Sequence, residues 1–215
     1  MEKLLPVDKM WEARASSTMP WSLEHVRSCL ASSSGLAAAS SSVAPAQAAV
    51  AIVLRFVPSV EVLLIRRAEH DGDPWSGHMA FPGGRGEPGD ESTLATALRE
   101  TVEEVGWDLR QDTEHLGALG ALPAVARGRA LDLEIVPHVF AAHRTAELVL
   151  SDEVVEALWT PVAPLVQGRV DTVRPYRYQG HDLELPAYQV GEHVVWGLTY
   201  RMLGMLFERL GAPTS

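Results

Sequence analysis

Between Phe81 and Trp107 the chain reads FPGGRGEPGDESTLATALRETVEEVGW, a glycine-rich loop running into a helix with a cluster of carboxylates. No other stretch constrains the fold as strongly. Asp90 and Ser92 precede a run of good helix formers, and Gly106 can take the left-handed conformation that stops a helix. At 100° per residue, Leu94, Leu98, Thr101, Val102 and Val105 share one side, which predicts a core stripe, while Glu100, Glu103 and Glu104 share the other. No Lys or Arg stands three or four residues from Glu100 or Glu104, so the three acids read as unpaired. Like charges at this spacing weaken a helix by about 0.2 to 0.5 kcal/mol per pair, and the arrangement calls for a compensating cation. A solvated acidic face is the plain alternative. The glycine-rich loop directly ahead favours an oxygen-only ligand set, which suits Mg²⁺ or Mn²⁺.

The run Arg99-Glu100-Thr101-Val102-Glu103-Glu104-Val105-Gly106-Trp107 resembles the core of the Nudix box, Gly-x5-Glu-x7-Arg-Glu-U-x-Glu-Glu-x-Gly-U, where U is bulky and apolar. Glu91 lies at the required distance before Arg99, and Thr101 stands where an aliphatic residue is usual. Gly84 and Glu91 are one residue too far apart, so either the loop has gained a residue or Asp90 takes the first acid position. A competing motif, Gly84-x-Gly86-x-x-Gly89, matches a dinucleotide-binding fingerprint. Pro88 stiffens that turn, Arg85, Glu87 and Asp90 crowd the would-be cradle, and no acid ends a second strand about 20 residues on.

The resemblance extends from about Val50 to Leu210 and is closest to the coenzyme A diphosphatase branch. Arg67-Ala68 followed by Gly77-His78-Met79-Ala80-Phe81-Pro82-Gly83-Gly84 looks like that branch's signature, as do Asp152-Glu153-Val154, Pro186-Ala187-Tyr188 and Val195-Trp196-Gly197-Leu198-Thr199. Asp73 departs from it, placing an acid where the signature has a second Arg.

This likeness implies an α/β/α sandwich with a mixed sheet. It also implies metal-dependent hydrolysis of a diphosphate linkage in a nucleoside diphosphate derivative, coenzyme A or a related compound. The alternative is a catalytically weak Nudix-fold binding or sensor domain. Under the resemblance Glu100, Glu103 and Glu104 hold Mg²⁺ or Mn²⁺, Arg99 orients a carboxylate, and Glu104 or Glu153 is the general base. Arg67, Gly83 and Gly84 lie on the substrate side, the glycines letting backbone approach the site closely.

The resemblance implies a small-molecule diphosphate as the partner, and composition argues against nucleic acid. A net charge of −10 leaves no basic excess for nucleic-acid backbones. The lone Cys29 excludes an intrachain disulfide and a cysteine zinc site, consistent with a reducing cytoplasm. No stretch reads as a signal or a membrane span.

The 215 residues, 47% of them apolar, suit one domain plus an appendage. Residues 1–46 read as an arm, with a short helix at Trp21–Leu30 and an Ala/Ser-rich linker from Ala31. The domain is expected over 47–215. Ala49–Phe56 and Val60–Arg67 predict two strands, followed by a polar loop, and His70 and His78 read as loop residues. His115–Val125 and Leu131–Ala142 predict strands around a tip at Arg127-Gly128-Arg129. Leu158–Pro161 predicts a strand before a short helix, and Val173–Arg177 with Leu183–Gln189 a further pair. A helix is expected over Glu192–Leu210, where Val195, Leu198, Met202, Met205 and Leu206 form either a core stripe or a homodimer surface.

Overall fold

In strand β1 (Ala46–Arg55), Ala48, Val50, Ile52 and Leu54 turn to one face and Ala49, Ala51 and Val53 to the other, and all are buried. A strand apolar on both faces must be covered on both, and that requirement sets the architecture. The structure, a computed structural model, describes residues 21–31, 46–70, 75–126 and 128–212. Within them β1 lies inside an eight-stranded mixed sheet. It pairs in parallel with β7 (Arg129–Ala142) and antiparallel with both β2 (Glu61–Arg67) and β4 (Gly83–Arg85). Strands β3 (Met79–Ala80) and β8 (Val154–Pro161) pair with β2, and β5 (Thr113–Ala118) and β6 (Leu122–Ala126) pair with β7. A separate antiparallel sheet runs β11 (His193–Trp196), β10 (His181–Val190), β9 (Asp171–Tyr178).

Helices α1 (Leu23–Ala31), α4 (Val162–Val166) and α5 (Gly197–Arg209) cover one face of the large sheet, packing Val26, Leu30, Leu165, Leu203 and Leu206 against the Val50 side of β1. On the other face, α2 (Thr93–Val105) and α3 (Leu109–Asp112) pack Ala97, Leu98, Val105 and Leu109 against Ala51, Val53, Leu63 and Ile65. The expected α/β/α layering on a mixed sheet is therefore present.

Several local expectations change. The helix expected from Glu192 begins at Gly197, because Val194 and Val195 find strand partners in Gln189 and Tyr188. Val195 is fully buried, but from a strand; Met202 and Leu206 are buried and Leu198 and Met205 half-buried against the same core, so the stripe faces inward. The single strand expected over His115–Val125 is divided into β5 and β6. On α2, Val102 is 41% exposed and Glu104 only 3%, so the buried face is rotated toward the acids. The short amino-terminal helix is not outside the core: Trp21, Val26 and Leu30 are buried in it, Arg27 pairs with Glu114 of β5 at 2.7 Å, and His25 Nε2 lies 3.0 Å from the Leu210 carbonyl. Most of the expected linker, Asp73 and Arg127 lie outside the described residues.

Candidate active site

The helix that carries the acids is closed at both ends as its sequence demands. Ser92 Oγ accepts the Ala95 N–H at 3.2 Å, and Gly106 at φ 69° returns its N–H to the Val102 carbonyl. The loop ahead of it is tied down by two glycines whose missing side chains are a spatial necessity. A Cβ on Gly83, at φ 153°, would sit 2.3 Å from the Ala49 carbonyl oxygen, so only glycine lets β4 lie against β1 there. A Cβ on Gly84 would meet Glu100 Oε1 at 2.5 Å. The Glu100 carboxylate thus occupies space that a side chain at position 84 would take, and the Gly83 N–H donates to Glu104 Oε2 at 2.8 Å.

Asp90, not Glu91, engages the arginine of the cluster. Its carboxylate accepts from Arg99 Nε at 3.1 Å and Nη2 at 2.9 Å, from the Glu87 N–H at 3.0 Å and from Thr96 Oγ1 at 2.9 Å, while Glu91 is exposed. These bonds, led by Arg99, hold Asp90 far below the usual carboxylate range and push Arg99 upward in turn. Arg99 Nη1 also reaches Glu100 at 3.0 Å and Glu103 at 2.9 Å.

The three acids are therefore not unpaired: Glu103 takes Arg99 from four residues earlier, a partner that helical spacing already offered. Glu100 is paired by its immediate neighbour and Glu104 by Arg67, whose Nη1 reaches it from β2 at 3.5 Å. Neither partner lies three or four residues away, so a helical-neighbour count misses both.

Burial raises Glu104 to about 7, partly opposed by the Gly83 N–H and Arg67 and reinforced by Glu100 and Glu153. Burial likewise raises Glu100, with Arg99 opposing. Both groups are acids whose charge is under-compensated, and their donors are all carboxylate oxygens, the chemistry that Mg²⁺ or Mn²⁺ prefers. The donor set therefore fits a divalent ion. Among the described residues no three His, Cys, Asp or Glu side chains stand close enough together to hold one, and Arg99 binds Glu100 and Glu103.

A cavity of about 490 Å³ opens over this cluster. It brings together Arg67, Gly83, Gly84, Arg99, Glu100, Glu103, Glu104 and Glu153, every site residue the sequence singled out. Glu153 is exposed, and its backbone carbonyl anchors the Ala68 N–H at 2.7 Å. Much of the remaining wall is apolar or aromatic, with Trp75, His78, Leu133, Ile135, Trp196 and Met202, and Arg85 and Glu87 line it as well. His78, read as an ordinary loop residue, lies with its ring centroid 4.7 Å from that of Trp196. Trp75 carried no sequence signal, and Trp196 appeared only within a run resembling the coenzyme A branch.

The NUDIX domain family model matches residues 45–179. The uncharacterized protein C14C4.10c of Schizosaccharomyces pombe is 37% identical over 148 residues, covering 60% of this chain and 45% of the relative. The mitochondrial coenzyme A diphosphatase NUDT8 of Homo sapiens is 34% identical over 157 residues, covering 72% of this chain and 65% of the relative. An uncharacterized Nudix hydrolase NudL of Pectobacterium atrosepticum is 33% identical over 164 residues, covering 74% and 80%. The chain thus spans less than two thirds of the first two relatives' own length.

Proposed function

Since the chain belongs to the NUDIX domain family, we propose that it is a metal-dependent hydrolase that cleaves the diphosphate linkage of a nucleoside diphosphate derivative, with coenzyme A or a related compound as substrate. The observation that carries this reading is the buried Glu104 beside the half-buried Glu100, both facing a cavity of about 490 Å³. Glu100, Glu103 and Glu104 would hold Mg²⁺ or Mn²⁺, which when bound neutralises phosphoryl oxygens and acidifies water. Water attacks one phosphorus, the bridging P–O bond breaks, and two phosphorylated products leave. The water's proton passes to a carboxylate of the cavity, Glu153 or Glu104. Arg99 positions Glu100 and Glu103 through its anchor on Asp90. Arg67 and the backbone at Gly83 and Gly84 border the phosphate-binding side.

The coenzyme A assignment draws on the printed name of the human relative. One observation favours the alternative, a weakly catalytic binding or sensor domain: Arg99 holds Glu100 and Glu103. Hydrolysis of coenzyme A, dinucleotides and nucleoside diphosphate sugars, measured with Mg²⁺, with Mn²⁺ and with chelator, decides between them. Metal-dependent release of two phosphorylated products supports the hydrolase, and binding without turnover supports the sensor.

No described helix is long and apolar enough to cross a membrane. We assign a cytoplasmic location from the single Cys29; the human relative is named as mitochondrial, and fractionation of the expressed chain tests the choice.

A further inference from the structure

The family match ends at residue 179, yet the cavity wall continues beyond it through Trp196, Leu198, Thr199 and Met202. These residues come from the junction of β11 and α5, so this part of the wall belongs to the carboxyl-terminal part of the chain. The junction is held firmly. Trp196 pairs with Ala187 in the small sheet, Gly197 at φ 63° turns the chain into α5, and Thr199 Oγ1 donates to the Met79 carbonyl at 2.8 Å, tying α5 to β3. The Trp196 ring is braced by His78 at 4.7 Å and Tyr176 at 5.8 Å between centroids, with the Arg174 guanidinium carbon 5.8 Å from its centroid. Although braced, it is only half-buried and borders the cavity that the carboxylates share. A large π surface that is held by neighbouring rings, half-buried and on the cavity wall suits a flat heteroaromatic ring, which gains from stacking whatever its hydrogen-bonding pattern.

Building on the hydrolase reading, we propose that Trp196 is a specificity-determining residue that stacks the nucleobase of the substrate while the diphosphate lies toward Glu100 and Glu104. It selects a substrate carrying a heteroaromatic base over a diphosphate ester lacking one. Base-on-aromatic stacking predicts that losing the ring weakens a base-containing ligand about tenfold.

Calorimetric titration of the full chain with ADP and with inorganic pyrophosphate, Mg²⁺ present throughout, tests this without relying on turnover. The expected result is ADP binding about tenfold weaker in Trp196→Leu, within threefold of the parent in Trp196→Phe, and pyrophosphate binding unchanged in both. Equal weakening of ADP and pyrophosphate, unaltered ADP binding in Trp196→Leu, or a parent that binds ADP no better than pyrophosphate would each overturn the assignment. If Trp196→Leu does not fold, fluorine NMR of the 5-fluorotryptophan-labelled parent decides, with the Trp196 signal identified by its loss in Trp196→Phe. That signal must move with ADP and stay still with pyrophosphate; any other pattern overturns the proposal. Base-dependent ADP binding in a chain that hydrolyses nothing would defeat the hydrolase reading and leave this one standing. Hydrolysis with ADP binding indifferent to Trp196 would do the reverse.

Discussion

The carboxylate side of the cavity comes mainly from one continuous stretch, β4 through α2, whereas its aromatic and apolar side is gathered from Trp75 and His78, from β7 and from the β11–α5 junction. The first is held by charge: Asp90, Glu100 and Glu103 share Arg99, and Glu104 takes Arg67 and the Gly83 N–H. The second is held by packing, by backbone pairing at His78 and Trp196, and by the buried hydroxyl bond from Thr199 to Met79. Charged groups that act on one another need fixed spacing, which a helix and a tight loop provide within a few residues. An apolar wall needs only bulk in the right place, so long-range packing can deliver it from anywhere. On the function proposed here, chemistry and selectivity fall to parts of the chain with different degrees of freedom.

If that separation is real, damage to the first side should abolish turnover and damage to the second should only change preference. The largest effect is expected for Glu104→Gln, which removes one carboxylate charge with little volume. Turnover should fall about a thousandfold, roughly 4 kcal/mol of barrier, with the folded state retained by circular dichroism. Turnover near the parent level at saturating Mg²⁺ would break the comparison at its root.

Gly83→Ala tests whether the acid side depends on backbone contact. Its Cβ would meet backbone atoms of Ala49 and Val50, which cannot swing aside, so unfolding by denaturant should show a loss of about 3 kcal/mol. A loss under 1 kcal/mol would mean that β4 has room to move.

The acid side should also be visible in the pH dependence of the metal-free chain. Glu104 is raised when folded, so the folded state holds its proton longer, and stability from this group is present below its unfolded value and lost as pH rises toward about 7. His138 acts oppositely. Burial holds it near 4, beside His115 Nε2 at 3.1 Å and Thr93 Oγ1 at 3.0 Å, so its contribution grows as pH rises from about 4 toward the ordinary histidine range. The two oppose each other across the same window, and Glu104→Gln should unmask the histidine. Relative to the parent, the variant should gain on the order of 2 kcal/mol between pH 5 and 7.5 in chelator, read by urea denaturation. Parallel stability curves for variant and parent would show that Glu104 is ionised throughout.

The smallest effect belongs to a region on neither side. Val26→Ala on α1 should cost about 2 kcal/mol of stability, because Val26 is fully buried, yet leave the rate per folded molecule within about threefold. An unchanged melting curve would return α1 to the role of a detached arm.

Much of the acid side was legible beforehand because its determinants are local. The cap at Ser92, the stop at Gly106 and the order of Arg99, Glu100, Glu103 and Glu104 depend on neighbours within a few residues. The ambiguity between Asp90 and Glu91 was also visible in the spacing, but only the folded loop shows which one Arg99 grips. The strand at β11 was misread as helix because Val195, Leu198 and Met202 recur at helical spacing, and the pairing that overrides this comes from β10.

By itself the sequence indicated the α/β class, through strand-like runs on both sides of one helix and the Nudix resemblance, and it singled out the acids through their order on that helix. Tertiary structure alone decided that Arg67 neutralises Glu104 and Arg99 grips Asp90, that α1 belongs to the core, and that Trp196 and His78 stand over the same cavity as Glu104. The physical reason is range. Helix capping and side-chain periodicity act over one or two turns, whereas burial, desolvation of a carboxylate and the meeting of β2, α2 and α5 exist only once distant segments have excluded water together.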